Sequence, residues 1–461
     1  VYCGYIGGSE DDGGYGVALD DTGNAFYSGW AHSDESSFPV ATGPDLTHNG
    51  DSDGYVAKVN PQGSGFIYCG YIGGSEGDTC FGIALDDANR AHVIGNTFSD
   101  ETSFPVLIGP DLTYADDADA FVARVDAQGS QLEYCGYVGG DRKENGLDIC
   151  VDAQGDAYVI GWTHSDQNSF PVKAGPDLTF NGGSDIFVAR IDSSGSGVVF
   201  SGYLGGAQED YGLGIKLDPS GKICLGGGTY SDEQTFPVKY GPDLVYNGSG
   251  WDVGDVWVAR LDPQDLKIDF CGYVGGDVDD GCYAIDVDGD GNIYAAGWTL
   301  SHESSFPAKT GPDLTYGGGT QWVGDGHLAK VAPPSLTADA ETLPESGGTV
   351  NFFLDAGATN AGRNYLLLGS VSGTEPGYPL PGGLETLPMN WDGVTGAILL
   401  LLNTSLCFDF LGTLDGSGQA VAQLNLPALP AGSAGATLCF AFCLNGPFDY
   451  ASNSALIEIV D

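Results

Sequence analysis

One phrase returns five times along this chain. Residues 1–8 read VYCGYIGG, and near copies follow as YCGYIGG at Tyr68, YCGYVGG at Tyr134, FSGYLGG at Phe200 and FCGYVGG at Phe270. The copies start 66, 66, 66 and 70 residues apart. Repetition at such a period means supersecondary units that bury their apolar faces on one another. Each unit gives the same coarse reading. A G-G turn and an acidic loop lead into a first strand (YGVALD, FGIALD, LDICVD, LGIKLD, YAIDVD). A tight turn such as DDTGN precedes a second strand such as AFYSGWA, and a long loop carries S-F-P-V and G-P-D-L. A third strand such as GYVAKVN and a short turn complete the unit, with the opening phrase as its fourth strand. Four short strands joined by Gly, Asn and Asp turns predict a β-propeller blade.

Several of these phrases also carry a family resemblance. YCGYIGG, LDDTGNAFYSG, SFPV and DGYVAKV recur in order, and over residues 1–332 the chain resembles the bacterial β-propeller repeat often labelled SBBP. That resemblance implies a propeller fold and an extracellular or cell-surface setting, and it implies no catalytic residues. Residues 335–461 break the pattern after Pro333–Pro334. Segments such as TVNFFLDAG, NYLLLGSVSG, ATLCFAFCLN and SALIEIVD predict strands of a β-sandwich of Ig-like type. The expected fold is therefore all-β: a five-bladed propeller followed by a sandwich.

The opening phrase bears on how such a ring ends. It is a fourth strand without its first three, while the fifth repeat runs through GHLAKVA into Pro333 and lacks its fourth. The favoured expectation is a closed ring, with Tyr2, Cys3 and Tyr5 beside Gly326–Val331 of the same chain. The rival is pairing of the first strand with a neighbouring molecule's fifth blade.

Sixty-three acidic residues face 15 Lys and Arg, for a net charge of −48. That balance opposes nucleic acid and anionic lipid and favours solubility and cations. Apolar runs such as Ala397–Leu402 are too short to span a bilayer. A start at Val1 without Met reads as a processed chain, and eleven Cys suit an oxidising compartment. Five basic residues, Lys58, Arg124, Arg190, Arg260 and Lys330, recur once per repeat and are read as structural ion pairs. The long-loop face gathers repeated acids at Asp12, Asp78, Glu144, Asp210 and Asp280, at Asp34, Asp100, Asp166 and Asp232, and in each G-P-D-L. They are either loop caps or oxygen ligands for calcium.

The sharpest calcium candidate is Asp286, Asp288, Asp290 and Asn292, although it aligns with ordinary hairpin turns elsewhere. Repeats 4 and 5 each carry four extra residues with a Trp, and Trp251 and Trp322 are candidate contacts for a glycan or protein partner. Cys69 with Cys80, and Cys271 with Cys282, stand 11 residues apart and suggest two equivalent disulfides. No G-x-S-x-G, H-E-x-x-H or phosphate loop occurs. The leading functional expectation is thus a non-catalytic, secreted structural subunit at a cell surface or in an extracellular fibre, built from copies of itself. A calcium-assisted adhesin or lectin is the alternative, and a polysaccharide-processing enzyme comes third.

Overall fold

The computed structural model describes the chain except residues 1, 116, 249–253, 320–323, 358–359, 375 and 384. The chain divides into two compact units, residues 1–332 and 333–461. The first consists of five antiparallel meanders in sequence order. Blade 1 contains β1 (Asp12–Leu19), β2 (Ala25–Ala31), β3 (Asp53–Val59) and β4 (Phe66–Ile72). Blade 2 contains β5 (Asp78–Leu85), β6 (Ala91–Thr97), β7 (Asp119–Val125) and β8 (Leu132–Val138). Blade 3 contains β9 (Glu144–Val151), β10 (Ala157–Thr163), β11 (Asp185–Ile191) and β12 (Val198–Leu204). Blade 4 contains β13 (Asp210–Leu217), β14 (Ile223–Thr229), β15 (Asp255–Leu261) and β16 (Ile268–Val274). Blade 5 has only β17 (Asp280–Val287), β18 (Ile293–Thr299) and β19 (Asp325–Val331). First strands pack side by side, β1 on β5, β5 on β9, β9 on β13 and β13 on β17, which is how propeller blades stack.

Local chemistry accounts for the meander. The turn between β1 and β2 is closed by Asp20, whose side chain accepts hydrogen bonds from Thr22 N and Asn24 N, while Gly23 takes φ +82°. Only glycine adopts that backbone without strain. Asp86, Asp152, Asp218 and Asp288 repeat the cap in the other blades. The fourth strands are held on both sides. In blade 1, Cys69 opposes Ala57 of β3, and on its other side exchanges hydrogen bonds with Ala41 and Thr42 of the long loop. Gly43 and Gly70 let the loop approach this closely, since a Cβ on Gly43 would lie 2.5 Å from the Gly70 Cα.

Alternate residues of the second and third strands fill the space between blades. Val56, Val93 and Phe121 share one buried cluster, and Ile160, Val188 and Trp257 another. Trp30, Trp162 and Trp298, which share one position on the second strands, are half-buried.

The expected clasp is not formed. Residues 2–7 belong to no strand, β19 pairs only with β18, and β1 and β17 do not pack on each other as the other neighbouring first strands do. Among the described residues no strand pairing joins the first and fifth blades, a contact between distant parts of the chain that no local phrase encodes.

The second unit has two sheets around one core. Gly348–Asp355 and Gln419–Leu426 centre the first sheet, and Asn364–Ser370 and Thr437–Asn445 centre the other. Phe352, Phe410 and Phe440 meet between them, with ring centroids 4.6 Å apart for Phe352 and Phe440. Most of the apolar run Ala397–Leu402 lies in a helix, Gly393–Leu401, started by a capping box between Asp392 and Thr395.

Candidate functional site

The two ends of the blades use charge in different ways. At the tight-turn end the repeated cations are structural. Lys58 pairs with Asp20 at 3.3 Å, Arg124 with Glu133 at 2.7 Å, and Arg190 with Asp156 at 2.7 Å. Arg260 pairs with Asp269 and Lys330 with Asp288, both at 3.1 Å. Each cation also lies over an aromatic ring, for example Lys58 over Phe26 at 4.5 Å and Lys330 over Tyr294 at 5.0 Å.

The same arrangement removes the calcium loop. Asp288 accepts from Asp290 N, Asn292 N, the Asn292 side chain, Tyr294 Oη and Lys330 Nζ. With the Asn292 contact foremost, these donors hold its carboxyl well below the usual range. The Asp286 side chain accepts from Val287 N. The loop is a hairpin turn in which Asp288 is committed to the cap, and among the described residues no group of three or more His, Cys, Asp or Glu is placed to hold a metal.

At the long-loop end, two of the three repeated acid positions are caps. Asp34, Asp100, Asp166 and Asp232 accept from the backbone N–H two residues on, as do Asp45, Asp111, Asp177, Asp243 and Asp313 in G-P-D-L. The third position behaves differently. Asp78, Glu144, Asp210 and Asp280 open the first strands of blades 2–5 and are fully buried. Each accepts from the second glycine of the G-G turn, at 2.6, 2.8, 2.7 and 2.7 Å.

Facing them are acids that the sequence reading missed, Asp53, Asp119, Asp185 and Asp255 at the start of each third strand, also buried. One oxygen of each accepts a backbone N–H, from Asn49, Ala115, Asn181 and Asn247. The other, Oδ1, meets no donor among the described residues. In the last three it is turned toward Glu144, Asp210 and Asp280, so that a Cβ on Gly139, Gly205 or Gly275 would touch both members of the pair. The first G of each G-G therefore leaves room for two carboxyls.

Burial is the main reason these carboxyls hold protons, and for Asp78, Asp119, Asp185 and Asp255 the facing acid adds to it. Asp53, Asp78, Asp185 and Asp255 are pushed up to about 7, Asp119 to about 8 and Asp210 to about 6, with Glu144 and Asp280 also raised. The signal available in the sequence was the Asp that opens DGYVAKV, DAFVARV, DIFVARI, DVWVARL and DGHLAKV. These pairs are sealed from solvent and cannot meet a substrate.

Solvent does reach a shallow depression on the loop end of blade 2, bordered by Ser75, Glu76, Phe98, Asp100, Tyr114 and Asp117. Phe98 is 42% exposed there. Its equivalents in the other blades are His32, His164, Tyr230 and Leu300, so this position varies from blade to blade. Hydrogen bonds from the Thr102 side chain and backbone keep Asp100 below its ordinary pKa and ionised.

The remaining candidates do not come together. Trp251 and Trp322 lie outside the described residues. All eleven cysteines are free thiols. Cys69 sits on β4, the last strand of its blade, and Cys80 on β5, the first strand of the next. Cys271 and Cys282 occupy the same positions one junction from the end. Opposite edges of successive blades keep each expected disulfide apart, and burial pushes the Cys69 and Cys282 thiols up to about 12.

No family model matches the chain, and no curated protein matches it either. Solved structures do. A gluconolactonase from Xanthomonas campestris is 13% identical, with 71% of this chain and 88% of that one covered at a TM-score of 0.31. A glucose dehydrogenase is 11% identical over 62% and 94% at 0.28. The soluble aldose sugar dehydrogenase of Escherichia coli is 12% identical over 71% and 97% at 0.27. All three are named as enzymes, unlike the non-catalytic structural subunit expected of this chain. Identities and scores this low carry no substrate or mechanism to this chain. Among the described residues no helix is long and apolar enough to cross a membrane.

Proposed function

We propose that the chain is a carbohydrate-processing protein whose site is the acidic, aromatic depression on blade 2. The observation that supports this is the exposed ring of Phe98 beside the exposed carboxylates of Glu76 and Asp100 in one depression. An exposed ring offers an apolar platform for the C–H face of a pyranose, and flanking carboxylates accept its hydroxyl protons. Glu76 and Asp100 are the two carboxylates that the depression offers to a sugar lactone or glycosidic bond.

Work outside the cell, as a member of the SBBP-type repeat proteins, belongs to the same proposal. It is supported by the repeated phrases and by an acidic surface that repels nucleic acid. The test is a panel of sugar lactones, aldoses and oligosaccharides offered to the purified chain, with calcium and with a chelator. Turnover that Phe98→Ala or Asp100→Asn reduces at least tenfold is expected. Turnover indifferent to both substitutions moves the site elsewhere, and neither binding nor turnover of any sugar overturns the reading.

A further inference from the structure

The first sheet of the second unit runs in the order Leu336–Ala338, Gly348–Asp355, Gln419–Leu426 and Cys407–Phe408. Val350, Phe352, Leu354, Ala422 and Leu424 point from it into the core. Side chains alternate along a strand, so the residues between them stand on the outer side. That side carries rings and amides. Phe353 is 47% exposed, and Val421, opposite it on the next strand, is 52% exposed. Phe408 is 54% exposed and stands beside Gln423, one strand further across and two residues along. Strands ~4.8 Å apart with ~3.4 Å per residue place the two phenyl rings about 12 Å from each other.

A line of amides crosses the sheet beside these rings. Thr349 Oγ1 donates to Asn425 Oδ1 at 2.8 Å, and Asn425 Nδ2 donates to Gln423 Oε1 at 3.1 Å. Gln423 Nε2 donates to Asn351 Oδ1 at 2.9 Å, and Asn351 Nδ2 donates to Asp339 Oδ2 at 2.6 Å. Each amide is held in place by its neighbours, and all three are only half-buried. An amide has two N–H donors and two acceptor lone pairs, so Gln423 and Asn351 keep capacity to spare. Fixed, neutral donors and acceptors thus alternate with exposed rings on one face.

We propose that this face binds a neutral polysaccharide, a polymer of the sugars assigned to blade 2; the choice of sugar as the ligand class rests on that reading. The C–H face of a pyranose covers an aromatic ring, and its hydroxyls both donate and accept, as the amides do. A polyanion is excluded by charge. Arg363 is the only Lys or Arg after residue 332, and it is paired with Asp449. A protein partner fits less well, because its interface core masses apolar groups, whereas Phe353 and Phe408 stand apart with Gln423 between them.

Affinity electrophoresis of the full chain tests this, in native gels cast with hydroxyethyl cellulose, mixed-linkage β-glucan, galactomannan or soluble starch. Polygalacturonate is the anionic control. At least one neutral polymer should retard the chain, and polygalacturonate should not. Phe353→Ala and Phe408→Ala should each weaken retardation by about fivefold or more, with unchanged melting curves because both rings are exposed. Phe353→Tyr keeps the ring and should retain binding, which separates loss of the platform from loss of fold. Phe98→Ala should leave retardation intact. A chain that is retarded but turns over no sugar fails the blade 2 reading and keeps this one; turnover without retardation does the reverse. Retardation by none of the neutral polymers, equal retardation by polygalacturonate, or retardation lost in Phe98→Ala each overturns the proposal. So does retardation untouched by both Phe353→Ala and Phe408→Ala.

Discussion

Four blade junctions are assembled and two outer faces are not, although both are built from the same residues. At a finished junction a fourth strand lies between the third strand and the long loop, its tyrosine buried and its G-G turn covering two carboxyls. At the outer faces the same phrase, the same turn and the same Asp positions, Asp12 and Asp325, are present without each other. The difference shows that the repeat encodes half of each junction at each end of a blade. Neither half becomes buried structure until a following blade supplies the other.

Substitutions at equivalent positions separate the two cases. The largest effect is expected at the glycine contact. Gly136→Val drives a side chain into Gly109 and should destabilise the first unit by about 3 kcal/mol or more, while Gly4→Val leaves the dilute chain unchanged. Thermal unfolding read by near-ultraviolet circular dichroism tests the pair. Next comes Tyr137→Phe, which strips the Ser99 carbonyl of its buried donor at a cost of about 1–2 kcal/mol; Tyr5→Phe should cost nothing measurable in the dilute chain.

The carboxyl pairs give a pH signature. Their folded pKa values, about 6 to about 8, lie above the ordinary value of ~3.9. Folding therefore tightens their protons. The stability this contributes is complete below ~4 and is lost as pH rises through about 6 to 8. The first unit should melt at higher temperature at pH 5 than at pH 8, and Asp119→Asn should flatten that slope. The second unit lacks such pairs among its described residues. Burial acts against its Asp392, but hydrogen bonds from Val371, Thr395 and Ser370 outweigh it and hold the carboxyl well below the usual range. That contribution is present above ~4 and lost only in acid, so this unit should be flat between pH 5 and 8. The smallest contrast is in the cations: Lys58→Met should weaken blade 1 by about 1 kcal/mol, whereas Lys330→Met on the open edge should have no measurable effect.

Much of this was legible in the sequence, where structure depends on neighbours in the chain. AFYSGWA is β2 residue for residue, and the Asp-capped turns, the one cation per blade and the break near Pro333 were all readable. Relations across a blade were not. Spacing placed Cys69 near Cys80, but eleven residues here run from the last strand of one sheet to the first of the next. The partner of Asp78 is Asp53, 25 residues earlier and read as the end of a loop, because pairing between blades leaves no local pattern. The helix at Gly393 was hidden by an apolar run that suits a strand equally well, although Asp392 and Thr395 announced its start. The depression at Phe98 was missed because attention went to positions that repeat, and this one does not.

The central claim is that one junction in five is left unmade within a single chain. Amide hydrogen exchange on the dilute protein tests it most directly. Cys69, Tyr71, Cys135 and Tyr137 amides should be strongly protected by their loop and strand partners, while Cys3 and Tyr5 amides exchange at nearly the rate of an unstructured peptide. Equal protection of Cys3 and Tyr5 in a monomeric sample would mean that the ring closes on itself, and would contradict the account.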